Sequence, residues 1–162
     1  MDDGSILQGL SARTRAVMPV YLFGQMTTIQ PITYEGTEIP IIEDAAQALG
    51  ARSQGVGIAQ GHLAAATSFF PTKNLGGFGD GGAVFTQDGE LADRLRVLRA
   101  HGAQPKYTHH WVGGNFRLDA IHAAMLSVKL RQLAHQIECK RSLAHRYDAL
   151  FLETKCVSDG HF

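Results

Sequence analysis

The run Leu63-Ala64-Ala65-Ala66-Thr67-Ser68-Phe69-Phe70-Pro71-Thr72-Lys73-Asn74-Leu75-Gly76 decides how the rest of the chain is read. An apolar stretch closes on two aromatics, Pro71 stops it, and a tight segment leads into the glycines from Gly76 to Gly82. A short, continuous apolar run of this kind fits a strand buried on both faces of a parallel sheet. Lys73 is the first lysine of the chain and Lys106 the next. An ammonium held at the mouth of an apolar strand can be desolvated, which frees a nucleophilic amine of the kind a Schiff base requires. The plainer alternative is a solvated loop lysine.

Working outward, Ala16 to Leu22 reads as a short strand ended by Gly24, and Ile39 to Ile42 as a second. Thr27 to Glu38 reads as a polar connection with one helical turn, and Met1 to Thr14 as polar and weakly patterned. Ala45 to Leu49 is short but helix-compatible, and Gly50 to His62 is a glycine-bearing loop. Leu63 to Phe70 and Ala83 to Thr86 complete the strands. Leu91, Leu95 and Leu98 then repeat at helical spacing, and Gly102 ends the pattern. After a loop from Pro105 to Gly114, a long helix is expected, with one stripe at Leu118, Ile121, Met125 and Val128. Leu126, Leu130 and Leu133 form an adjoining stripe, and the pattern reaches about Leu152. Strands first and helices later point to an α/β layered domain.

Composition narrows the classes. The chain has 162 residues, and its 15 Lys+Arg balance 15 Asp+Glu. No strong field therefore favours nucleic acid or an anionic membrane. No apolar run reaches spanning length, and Asp2 and Asp3 do not suit a signal peptide. Cys139 and Cys156 lack metal-ligand spacing and disulfide density, as expected of a soluble cytoplasmic protein.

One acid and a glutamine stand beside Lys73 as candidates. Glu43-Asp44 closes the second strand, and ligands of open parallel sheets bind beyond strand carboxyl ends. Asp44 and Lys73 both sit at such ends, and Gln47 follows Asp44 by one helical turn. Asp44 can equally cap the following helix, and Asn115 can cap the long one. Gly77, Gly79 and Gly82 match a dinucleotide fingerprint formally, the sole basis for a nicotinamide-dependent oxidoreductase. That fingerprint needs a strand before it and a helix after it, and here the order is wrong. The glycines instead suit tight turns and close backbone approach. His101, His109 and His110 lack the spacing of a zinc site.

In order, Arg15 to Val20 with Gly24-Gln25, then Ile42-Glu43-Asp44-Ala45-Ala46-Gln47-Ala48, resemble a known family. Ser68 to Gly76, Gly79 to Ala83, Leu98 to Gly102 and Gly113 to Ala124 extend the match. The family is the DegT/DnrJ/StrS group of sugar aminotransferases, which use pyridoxal 5'-phosphate. The resemblance implies an α/β fold: a partial large domain with a mostly parallel sheet flanked by helices. Residues 1–134 would form that domain, and 135–162 a helix and the start of a truncated small domain. By the same resemblance Lys73 would carry the cofactor as a Schiff base and shuttle a proton between carbon atoms. Asp44 would pair with the pyridinium nitrogen, keeping the ring an electron sink. Gln47 would lie near the phenolic oxygen, Ser68 would bind the phosphate, and Asn115 would reach the phosphate of the partner subunit in a homodimer. The implied reaction moves an amino group, typically from glutamate, to a nucleotide-linked keto sugar. The alternative is a truncated, inactive fragment that keeps only dimerisation or weak cofactor binding. His62 stands where relatives usually carry aspartate, and the chain resembles the central part of a longer enzyme.

Overall fold

The computed structural model describes residues 3–105 and 107–150. A short helix, α1 (Asp3–Gly9), precedes a 3-10 turn at Leu22–Gly24 and two strands, β1 (Ile32–Tyr34) and β2 (Thr37–Ile39). Then come β3 (Ile42–Asp44), β4 (Ala64–Ser68), β5 (Gly82–Phe85), α2 (Gly89–Leu98) and α3 (Ala120–Leu150). The fold is α/β, as the sequence pattern indicates.

The sheet that matters for function has the order β3-β4-β5. β3 and β4 are parallel, with Asp44 opposite Ala66, and β4 and β5 are antiparallel, with Ser68 opposite Gly82. Residues 17–21 extend this sheet beyond β3 through parallel bridges at Val17 and Val20. The expected strand over Ala16 to Leu22 is thus reduced to two bridges. Pro19 lies between them and has no N–H to give, although its carbonyl accepts from Asp44 N–H at 2.9 Å.

Three other expectations are corrected. The Thr27 to Glu38 stretch and the start of the second expected strand form a β1–β2 hairpin, closed by Glu35 and Gly36 with φ of 49° and 79°. Positive φ at both central positions is the geometry whose twist matches paired strands. Ala45 to Leu49 forms successive turns, with Ala48 N–H on Ala45 C=O and Ala51 N–H on Ala48 C=O, instead of a helix. Five residues give little return on the cost of nucleating a helix. The weakly patterned N-terminus holds α1, whose Ile6 packs with Ile29, Ile32, Ile39 and Ile41.

α2 starts as its sequence suggests, with Asp88 Oδ1 accepting from Leu91 N–H at 3.1 Å. The long helix is also present, and each expected stripe is packed in part. Leu118 and Met125 of the first pack against the core while Ile121 and Val128 are exposed. Leu130 of the second is exposed, whereas Leu126 and Leu133, with Ile137, are buried against Phe69 and Leu75. Each such side chain contributes about 1.5–3 kcal/mol relative to exposure. Phe151 and Leu152, the expected end of that helix, lie outside the described residues, as does Cys156. Cys139 is exposed and unpaired with another cysteine. No helix of the described residues is long and apolar enough to cross a membrane.

Candidate active site

Side chains alternate along a strand and share a face with their cross-strand partners. Asp44, Ala66, Ser68 and Val84 therefore lie on one face of the sheet. This face is open: Ala66 and Val84 are exposed, as is Val20 beside Asp44. Because β3 and β4 run parallel, Asp44 and Ser68 both stand at the same carboxyl edge.

The lysine segment leaves that edge on a pinned neck. Phe69 donates its N–H to Gly81 C=O and accepts from Gly77 N–H, each at 2.7 Å, while Lys73 N–H reaches Phe70 C=O at 2.9 Å. Lys73 itself is half-buried, and its ammonium has no hydrogen bond or ion pair among the described residues. The backbone is fixed, yet the amine has no partner among the described residues.

The other candidates have local partners. Asp44 Oδ1 accepts from Ala46 N–H at 3.1 Å, so the capping interaction exists without a helix behind it. Gln47 Oε1 accepts from Phe23 N–H at 2.7 Å and holds the 3-10 turn where Phe23 has φ of 58°. Ser68 Oγ accepts from Phe70 N–H at 3.2 Å, which leaves its hydroxyl proton available. Topology thus gathers Asp44, Gln47, Ser68 and Lys73 where β3 and β4 end.

Asn115 has partners of its own. It is exposed, bridges Ala100 through its backbone, and its Oδ1 accepts from Arg117 Nε at 2.9 Å. The capping alternative fails, because α3 begins only at Ala120. An apolar groove of about 1080 Å³ lies between Thr67, Ala83 and Phe85 of the sheet and Leu95 and Arg99 of α2. None of the five candidates lines it, although Ala66 and Val84, which share a face with Asp44 and Ser68, do.

The strongest polar cluster went unread in the sequence. Glu43, next to Asp44 but on the opposite face, is 1% exposed. Its Oε2 accepts from Ala59 N–H at 2.7 Å, and its Oε1 lies 2.5 Å from His62 Nδ1. So short a contact requires a proton between the two atoms. His62 Nε2 lies 3.3 Å from Ile29 C=O. Tyr21, also buried, hydrogen-bonds Glu43; its burial, then that charge and that bond, push the phenol well above the usual tyrosine range. His62 is therefore a structural tie. The only signal for it was an acid inside an apolar strand.

Comparison with known proteins settles the family. The model of the DegT/DnrJ/EryC1/StrS aminotransferase family matches residues 1–161. The chain belongs to this family. One relative, a pleiotropic regulatory protein of Geobacillus stearothermophilus, is 44% identical over 155 residues, covering 94% of this chain and 42% of the relative. Another, the dTDP-3-amino-3,4,6-trideoxy-alpha-D-glucose transaminase of Streptomyces venezuelae, is 44% identical over 149 residues, covering 91% and 39%. Among solved structures, S. venezuelae DesV in complex with a ketimine intermediate superposes with a TM-score of 0.81 at 41% identity, covering 92% of this chain and 41% of that one. The chain thus has the α/β fold of part of the family's aminotransferases, and spans about two fifths of the length of these relatives.

Proposed function

We propose that this chain carries the lysine side of a pyridoxal 5'-phosphate site in an aminotransferase acting on a nucleotide-linked keto sugar. The observation that carries the reading is the Lys73 amine, without a partner among the described residues, on a pinned loop at the carboxyl edge that also holds Asp44. The donor set suits the cofactor: an amine for its carbonyl, a carboxylate for its ring nitrogen, and a hydroxyl for its phosphate. Bound there, the group would supply an electron sink for a substrate carbanion.

Lys73 Nζ would hold the group and, once released, accept and return a proton as general base and acid. Asp44 would keep a proton on the ring nitrogen, its carboxylate oriented by the Ala46 N–H. Ser68 would turn its hydroxyl proton to the phosphate, and Gln47 would orient the group beside the phenolic oxygen. Asn115, which is exposed, would serve the site of the partner subunit in a homodimer. Exposed apolar residues on α3, Ile121, Val128 and Leu130 among them, suit burial in such a dimer. In this reading residues 1–134 form the cofactor-binding part, and the remainder of α3 leads into the second domain. Glutamate is the proposed amino donor and the cytoplasm the proposed location. The relatives' names support the sugar substrate, since one is a transaminase named for a dTDP-linked amino sugar.

The second reading, an inactive fragment, is favoured by the short share of the relatives' length. One titration separates them. Pyridoxal phosphate added to the purified chain should give a visible absorbance band that Lys73→Ala abolishes, and glutamate should then bleach it. Identical spectra for both proteins would sink the cofactor reading. A band that glutamate leaves unchanged would favour the fragment.

A further inference from the structure

The lysine loop is held from outside by one face of α3, and the residues doing so are spaced as a helix demands. His122, Leu126, Lys129, Leu133, Ile137 and Lys140 recur at intervals of three and four, one stripe of a helix. Leu126, Leu133 and Ile137 pack under the loop against Phe69 and Leu75. The polar members reach the loop itself. Lys140 Nζ donates to Asn74 Oδ1 at 2.9 Å, Lys129 Nζ donates to Gly76 C=O, and His122 Nε2 lies 3.2 Å from Phe78 N.

We propose that His122 is a positioning residue for the Lys73 loop, acting as a neutral imidazole that accepts a hydrogen bond from Phe78 N–H. The backbone N–H can only donate, so Nε2 must offer its lone pair and the ring proton must sit on Nδ1. A second observation agrees. A Cβ built at Gly77 would fall 1.7 Å from His122 Nε2, so only glycine lets the ring lie against the loop backbone. At Gly81 the same construction falls 3.5 Å from His122 Cε1, which places the ring between the two glycines.

The two lysines grip oxygens of the loop, whereas His122 accepts from its backbone N–H, so the three contacts hold different groups. Releasing Phe78 would free the loop between Gly77 and Gly81 while Lys129 and Lys140 still held the side nearer Lys73. The importance of this clamp for Lys73 rests on the cofactor reading, but the clamp itself does not.

Backbone amide exchange of the full chain, without cofactor, tests it. Phe78 should be protected about tenfold, the worth of one hydrogen bond. His122→Gln, which keeps an acceptor, should stay protected. His122→Phe should be unprotected, while the Phe69 amide, bonded to Gly81, stays protected and reports an intact neck. An unprotected Phe78 amide in the unaltered chain, or equal protection in His122→Phe with the Phe69 amide still protected, would overturn the proposal. The first outcome needs no variant to fold. If the clamp is found but no lysine-dependent absorbance band forms, the cofactor reading fails and the clamp stands.

Discussion

Glu43 and Asp44 are adjacent acids at the end of the same strand, and the pleat sends them into opposite circumstances. Glu43 is buried, and three donors converge on its carboxylate, from Tyr21, Ala59 and His62. Asp44 is half-buried with one donor, Ala46 N–H, and faces the open side of the sheet. A buried carboxylate with three of its roughly four acceptor sites taken by the protein is committed to the fold, so Glu43 reads as structure. Asp44 retains acceptor capacity at the edge where Lys73 also lacks a partner among the described residues. Satisfaction of hydrogen-bonding capacity separates the anchor from the candidate, where residue type alone does not.

Substitution should divide the two acids sharply. Glu43→Ala removes one member of a buried hydrogen-bonded pair and strands His62, so urea unfolding should show a loss of about 3–5 kcal/mol. Asp44→Asn should cost about 1 kcal/mol or less in the same assay, since one partly exposed hydrogen bond is at stake. It should instead weaken the cofactor absorbance. Equal stability losses for both would erase the contrast.

The lysine loop offers the next test. Gly77→Ala places a methyl where His122 Nε2 now lies, and overpacking of this kind should lower stability by about 1–3 kcal/mol by thermal or urea unfolding. A neutral outcome would mean that the loop is not pressed against α3.

The buried face also makes a prediction about alkali. The Tyr21 phenol is raised in the folded chain, so its stabilising share is complete below the unfolded tyrosine value of about 10 and is lost as pH rises above it. Unfolding midpoints should therefore fall above about pH 10 in the unaltered chain, and less steeply in Tyr21→Phe. Asp88→Ala, remote from both acids, should cost about 1 kcal/mol through loss of the α2 cap, which sets a scale for an ordinary local contact.

These contrasts mark what the sequence makes legible. Lys73, Asp44 and Ser68 could be read because each follows or ends an apolar run, and parallel strands bring such ends to one edge. α2 was readable from three leucines at helical spacing. The β1–β2 hairpin was not, because only Gly36 hints at it and Glu35 adopts its positive φ under the demand of strand pairing. The expected helix after β3 was lost to competition: the Asp44 side chain engages Ala46, and Gln47 turns to Phe23. Glu43–His62 and His122–Phe78 join residues 19 and 44 positions apart, and no local pattern encodes such contacts. Asn115 could be noticed as a motif residue, but its bridge to Ala100 and its bond to Arg117 follow only from the path between α2 and α3.

The central claim is that one amine, Lys73 Nζ, takes up the cofactor. Borohydride reduction of the chain after incubation with pyridoxal phosphate, followed by peptide mass mapping, tests it most directly. The account predicts a single phosphopyridoxyl label on the peptide carrying Lys73, absent from Lys73→Ala. Label spread over Lys129, Lys140 and the other lysines, with Lys73 unmodified, would contradict it.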